Sequence, residues 1–254
     1  MTGTDRRLSE QRFHDRQAAA REASFRAGRA DLRFADADYL DHETWVRPAF
    51  ARLGDVRGKR VLDCGCGHGM AAVVLARRGA DVTAIDLSPG YVREAEERAA
   101  ANGVRVACRT ADAEDLPFPD GAFDAVWGNA ILHHLDLGRA GRELRRVLRP
   151  GGSAVFCEPW GGNPVLSFAR RRVPYPGKAR TPDEMPLRAA DLGPLREHFP
   201  ELEVRGFQLL GMVRRVVRRG VIARAADALD RPLLRCVPAL ENWCRYVVLT
   251  ARAG

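Results

Sequence analysis

Lysine is nearly missing from this chain. Of its 41 basic residues only Lys59 and Lys178 are lysine, so the net charge of +8 is carried by arginine. Arginine in place of lysine, with abundant alanine and glycine, fits a GC-rich coding sequence, but the excess of positive charge is a separate fact. It suits an anionic acceptor, a membrane face, nucleic acid or plain solvation. Also missing is an apolar run near the roughly 20 residues that a membrane-spanning helix needs. Residues 1–33 are polar and charged and lack the apolar core of a signal peptide, and a cytoplasmic location is expected. Among the cysteines, Cys64 and Cys66 are one residue apart, but no second pair and no histidine at finger-like spacing completes a zinc set. No metal is expected, and the cysteines read as buried free thiols. Repeats and long disordered linkers are absent too.

What is present is ordinary globular material. The chain has 254 residues, 46% apolar and 29% charged, enough for one large α/β domain or two small ones. Residues 5–29 alternate charge with alanine and read as a surface helix or two short ones, and a second helical stretch is expected over 39–53. Then short β-rich runs begin to alternate with helical ones. Strands are expected at Arg60–Asp63, Asp81–Asp86, Val104–Arg109, Phe123–Gly128 and Ser153–Glu158, and helices at Met70–Arg78, from Ser88-Pro89 to about Ala101, and at Leu137–Leu148. Such alternation predicts a parallel sheet with helices on both faces, its ligand site at the carboxyl edge of the strands. Residues 160–181, rich in glycine, proline and arginine, read as an insertion over that edge. A helix is expected over Ala189–His198, strands over Leu202–Leu210 and Trp243–Ala251, and a basic helical stretch over Met212–Leu229.

The first strand runs into Cys64-Gly65-Cys66-Gly67-His68-Gly69 and then a helix, the context of a nucleotide-cofactor turn. The spacing is G-x-G-x-G rather than the dinucleotide G-x-G-x-x-G. Asp63 directly precedes the turn, where a carboxylate would repel a pyrophosphate and suit a cationic ligand with an amino group. Asp86 ends the second strand, placed to accept from both hydroxyls of a ribose. Asp112 follows the third, placed to receive an adenine amino group. Three carboxylates at successive strand ends suit a positively charged, phosphate-free adenosyl ligand.

Val61-Leu62-Asp63-Cys64-Gly65-Cys66-Gly67-His68-Gly69 resembles the first motif of class I S-adenosylmethionine methyltransferases. Asp86-Leu87-Ser88-Pro89 resembles their ribose segment and Ala111–Phe118 their adenine segment. Asn129–His134 and Leu148–Gly152 are similar to the fourth- and fifth-strand motifs of the small-molecule branch. The resemblance covers residues 56–160. It implies a Rossmann-like, mostly parallel seven-stranded sheet with its last strand antiparallel, an N-terminal helical lid, and S-adenosylmethionine as cofactor. Its cofactor contacts would be Asp63, Gly65, Cys66, Gly67, Asp86, Leu87, Asp112, Ala113, Glu114 and Asn129. The organisation it implies is a lid over 1–55, a cofactor core over 56–160, a substrate cap over 161–200, and a C-terminal part, 201–254, that completes the same domain.

Methyl transfer from a sulfonium is an in-line displacement, to which alignment contributes about 7–11 kcal/mol. A base helps a hydroxyl or carbon acceptor further, by roughly 10²–10⁴-fold. Candidates are His133, His134 and Glu158, with Glu158 acting directly or orienting a histidine. Tyr39, Trp160, Arg170, Arg171 and Arg172 are the candidate acceptor contacts, the arginines as a clamp for phosphate or carboxylate or only as a solvated loop. The leading expectation is a methyltransferase acting on a hydroxyl or carbon of a small molecule. A lipid-linked or diphosphate-bearing acceptor met through a peripheral membrane contact is an alternative, as is a non-catalytic cofactor-binding protein. Nucleic acid is not expected as partner, because the fourth-strand motif is Asn129-Ala130-Ile131-Leu132 rather than the Asn/Asp-Pro-Pro-aromatic of amino-methylating nucleic-acid enzymes.

Overall fold

The computed structural model describes residues 3–28, 31–172, 185–215 and 220–254. Its centre is a seven-stranded sheet of order β3-β2-β1-β4-β5-β7-β6. The strands are β1 (Arg60–Cys64), β2 (Asp81–Asp86), β3 (Ala107–Thr110), β4 (Phe123–Asn129), β5 (Leu148–Pro159), β6 (Glu203–Phe207) and β7 (Tyr246–Arg252). The first five run parallel, and β7 lies antiparallel between β5 and β6. The seven-stranded expectation is met, including the reversed last strand.

Helices α1 (Gly3–Arg26), α2 (Asp36–Leu40), α3 (Val46–Arg52), α4 (Met70–Arg77), α5 (Pro89–Ala101), α6 (Leu137–Val147), α7 (Pro164–Arg172), α8 (Gly193–His198) and α9 (Val221–Cys236) surround it. Alternation along each strand divides the core between two faces. Val61, Ala125, Trp127 and Val155 pack under α3 and α4, while Leu62, Val126, Ala154 and Phe156 pack under α6 and α8. Trp127, fully buried, meets the Phe50 ring at 4.3 Å between centroids. Each of the larger of these side chains contributes roughly 1.5–3 kcal/mol by leaving water, and the sum fixes which strand ends share an edge.

Several boundaries differ from the sequence reading. The 39–53 stretch is two short helices, with the His42 ring Nδ1 on the Tyr39 carbonyl at 2.5 Å just past the end of the first. β3 starts only at Ala107, since Gly103 and Val104 still cap α5 through Ala100 and Ala99. β5 starts five residues early, at Leu148, pairing there with Phe123 across a register shift. Residues 189–192 are a 3₁₀ turn ahead of α8. The basic 212–229 stretch is not one helix: a 3₁₀ turn ends at Arg215, residues 216–219 lie outside the described residues, and α9 starts after Gly220. Cys64, Cys66, Cys157 and Cys244 are buried free thiols as expected, whereas Cys236 is exposed.

The order places β2 and β4 on opposite sides of β1, so the chain reverses its direction of winding there. A crevice opens at such a point, outside the carboxyl ends of the strands.

Candidate active site

The crevice is built from the turn upward. Gly65 and Gly69 are required by close approach: a Cβ on Gly65 would lie 2.7 Å from the Ile131 side chain, and one on Gly69 2.7 Å from the Ala95 Cα. Both also have positive φ, which glycine alone adopts at little cost. Gly67 differs, for nothing lies within 4 Å of where its Cβ would stand. Its backbone faces a cavity of about 210 Å³ lined also by Gly65, Asp86, Leu87, Asp112, Ala113, Glu114, Asn129 and Ile131.

Asp86 ties the turn to β2. Its Oδ2 accepts from the Gly67 N–H and its Oδ1 from the Ser88 N–H, each at 2.9 Å. Burial raises its pKa against those two bonds. Asp63, beneath the turn, is 1% exposed. Its Oδ2 is buried with no hydrogen-bond partner. Burial, and next the charge of Asp86, push its carboxyl up to about 7. An orphaned carboxylate oxygen in a protein interior costs about 1–3 kcal/mol or more. It is a place prepared for a cationic donor, and with the open face at Gly67 it fits an amino-bearing adenosyl cofactor. Cys66 lies beside the turn, its thiol pKa raised by burial and the two carboxylates, so it is an inert thiol.

At the end of β4 the backbone turns sharply. Ala130 has φ +58°, a conformation costly for a residue with a Cβ. Glu158 holds that turn. Fully buried, it accepts at Oε1 from the N–H groups of Ile131 (2.9 Å) and Leu132 (2.8 Å), while its Oε2 meets His133 Nδ1 at 2.7 Å. A carboxylate only accepts, so a neutral His133 carries its proton on Nδ1 and its basic lone pair on Nε2. The His133 side chain is 3% exposed and is not part of the cavity lining, whereas His134 is. Tyr39 is buried, with its hydroxyl against Trp127 and Asn129, and so reaches the β4 end from the far side.

Other expected residues stand elsewhere. Trp160 is buried, with its Nε1–H donating to Asn242 Oδ1 at 3.1 Å, and belongs to the core beside β7. Arg172 is exposed at the end of α7, its guanidinium 5.7 Å from the Phe168 ring centre. The side chains of Arg170 and Arg171, and residues 173–184 of the expected cap, lie outside the described residues. Among the described residues no cluster of three or more His, Cys, Asp or Glu could hold a metal, and no helix is long and apolar enough to cross a membrane.

The N-terminal helical lid that the resemblance implies is present and forms one wall of the cavity, although Arg7 and Glu10 are not among the expected contacts. Helix α1 lies across the crevice and contributes Arg7, Glu10 and His14 to it. Arg6 pairs with Glu114 and the His134 carbonyl, Arg7 pairs with Asp112, and His134 Nδ1 meets Glu10 Oε1 at 3.3 Å. A polar helix gives no apolar stripe to announce a buried face. The remaining signal was the spacing Arg7, Glu10, His14, which puts all three on one side of a helix.

Residues 62–156 match a methyltransferase domain. The chain is 41% identical over 125 residues to a malonyl-[acyl-carrier protein] O-methyltransferase of Pseudescherichia vulneris, covering 48% of either chain. To a demethylmenaquinone methyltransferase of Clavibacter sepedonicus it is 37% identical over 146 residues, 57% of this chain and 58% of that one. The chain thus spans about half the length of the curated relatives it matches. The solved [4+2]-cyclase SpnF superposes with a TM-score of 0.53 at 26% identity, covering 83% of both chains.

Proposed function

Through residues 62–156 the chain belongs to the class I S-adenosylmethionine-dependent methyltransferases, and we propose that it transfers a methyl group from S-adenosylmethionine to a hydroxyl or carbon of a small molecule. The observation that carries this reading is the unpartnered Asp63 Oδ2 beneath an open glycine turn. The cofactor supplies an electrophilic methyl on a sulfonium. Asp63 would receive its ammonium, the turn at Gly65 and Gly67 would lie against its methionyl and ribose part, Asp86 would take the ribose hydroxyls, and Asp112 with Ala113 would hold the adenine. Asn129 borders the reacting end.

The acceptor's proton goes to His133. Glu158 fixes the histidine's tautomer and the path of the Asn129–His134 loop together, so one buried carboxylate sets both the base and the loop that lines the cavity beside it. His134, bound to Glu10 of α1, is the alternative base.

Two further readings each have an observation behind them. Val165 and Phe168 stand 66% and 59% exposed on α7 near Arg172, which favours a lipid-linked or diphosphate-bearing acceptor at a membrane surface. The likeness to a [4+2]-cyclase shows that a chain of this fold can carry an activity other than methyl transfer, which favours the non-catalytic cofactor-binding reading. Calorimetric titration with S-adenosylmethionine and S-adenosylhomocysteine, beside Asp86→Ala, tests the cofactor site. Binding that the variant weakens by about 1–3 kcal/mol supports it, and no binding by the folded protein removes it. Turnover in an acceptor screen with and without anionic vesicles then separates the three readings.

A further inference from the structure

Helix α1 is fixed over the cofactor cavity from both ends. Toward its start are the Arg6 and Arg7 pairs with Glu114 and Asp112. Further along, Asp15 Oδ1 accepts from the Ser88 hydroxyl at 2.5 Å, and the Tyr91 hydroxyl bonds Gln17 Oε1 at 2.8 Å. Past the cavity, Arg21 forks onto Glu94 at 2.8–3.0 Å. Between these anchors stands His14. Its ring lies 5.6 Å from Tyr91 and 5.8 Å from His134, centroid to centroid. It lines the same cavity as Asp86. Yet its Nδ1 is buried without a hydrogen-bond partner. The helix is thus anchored along its length, while the ring it contributes to the cavity has an unmet polar atom.

We infer that His14 is a cofactor-binding residue: its Nδ1–H donates to a ribose hydroxyl whose own proton is held by Asp86. The inference rests on the cofactor assignment above. A carboxylate has about four lone-pair sites, and two on Asp86 are already taken by Gly67 and Ser88. The remaining two accept from the ribose hydroxyls. Each hydroxyl oxygen then still has lone pairs to be met, and His14 is the unpartnered donor on the facing wall. The N-terminal helix thereby reads the sugar, and an adenosyl ligand without that hydroxyl gains nothing from it.

The test is calorimetric titration of the full chain, His14→Phe and His14→Gln with S-adenosylhomocysteine and with its 2′-deoxy and 3′-deoxy analogues. His14→Phe is expected to weaken S-adenosylhomocysteine about tenfold, the usual worth of one buried hydrogen bond, while leaving one of the deoxy analogues bound within about twofold of wild type. His14→Gln keeps a donor on a good helix former and falls between. It carries the comparison if the phenylalanine variant does not fold. Equal weakening of all three ligands would mean that the ring only packs the helix, and unchanged binding would remove His14 from the site. Either outcome overturns the inference while leaving the cofactor assignment intact. Failure of the wild type to bind S-adenosylhomocysteine overturns both.

Discussion

Asp63→Asn should make the cofactor-free protein more stable and the site worse. The Asp63 carboxyl lies near 7 in the fold against an ordinary 3.8, with burial as the main cause and Asp86 next. That is a rise of about three units at 1.36 kcal/mol each, or about 4 kcal/mol as a ceiling. A folded pKa above the unfolded one means that the native state binds the proton more tightly. The stabilising contribution is therefore complete below about pH 4 and is lost as pH rises from about 4 to about 7. Above pH 7 the wild type carries the cost of a buried charge that the Ala72 backbone N–H only partly meets and whose Oδ2 has no partner. Asparagine removes the charge but leaves an amide unpaired, at about 1–3 kcal/mol. The net gain at pH 8 is about 1–3 kcal/mol, and at about 2–4 °C per kcal/mol for a chain of this size the melting temperature rises by about 2–12 °C.

At pH 4.5, where Asp63 is already protonated in the fold, the same variant should be the less stable one. Melting curves of both proteins at the two pH values show the crossover. Ligand makes the complementary test. S-adenosylmethionine at about 100 times the wild-type Kd adds about 2.7 kcal/mol to the wild type. If the lost charge-assisted bond weakens binding about 100-fold, the same ligand adds only about 0.4 kcal/mol to Asp63→Asn. A variant that is destabilised equally at both pH values, or that binds the cofactor as the wild type does, would refute the reasoning.

Three further perturbations bear on the same elements. Glu158→Gln can still accept from Ile131 and Leu132, but offers His133 an N–H instead of a lone pair and so reverses the imidazole tautomer. Urea denaturation should show a change within about 1.5 kcal/mol, whereas methyl transfer, followed by product formation, should fall about 10²–10⁴-fold. Full activity in a correctly folded Glu158→Gln would dismiss His133 as the base. Glu158→Ala, by contrast, leaves two buried N–H groups unpaired and takes the carboxylate from His133 Nδ1, and should cost at least about 3 kcal/mol in the same denaturation. Gly69→Ala forces a Cβ to 2.7 Å from the Ala95 Cα at φ +79°, and should lose at least about 2 kcal/mol of stability by chemical denaturation.

The sheet was legible because each strand carries its own evidence. A run such as Arg60–Cys64 is β-rich, ends in glycine and is followed by a helix, and five such units in order leave little freedom in how they stack. The carboxylates of the site were legible for the same reason, since Asp63, Asp86 and Asp112 come at strand ends that local pattern alone locates. Glu158 was legible as a residue but not as a bond. Its partners Ile131 and Leu132 meet it with backbone N–H groups, which every residue carries, so no residue type signals the contact. Helix α1 was the hardest part. Its role depends on pairs such as Arg6 with Glu114 and Arg7 with Asp112, 108 and 105 residues apart, between side chains that would look equally at home in solvent. Apolar periodicity reveals burial because water penalises its absence, while charge periodicity says nothing about which opposite charge will answer it. The part of the site that local pattern hid is therefore the part held by ion pairs. Ion pairs weaken with salt where solvent reaches them, and Arg6 and Arg7 keep 25% and 29% of their side-chain surface exposed. Rising ionic strength should consequently loosen the helix that carries His14 before it disturbs Asp63 or Asp86, whose positions rest on the sheet and its buried core.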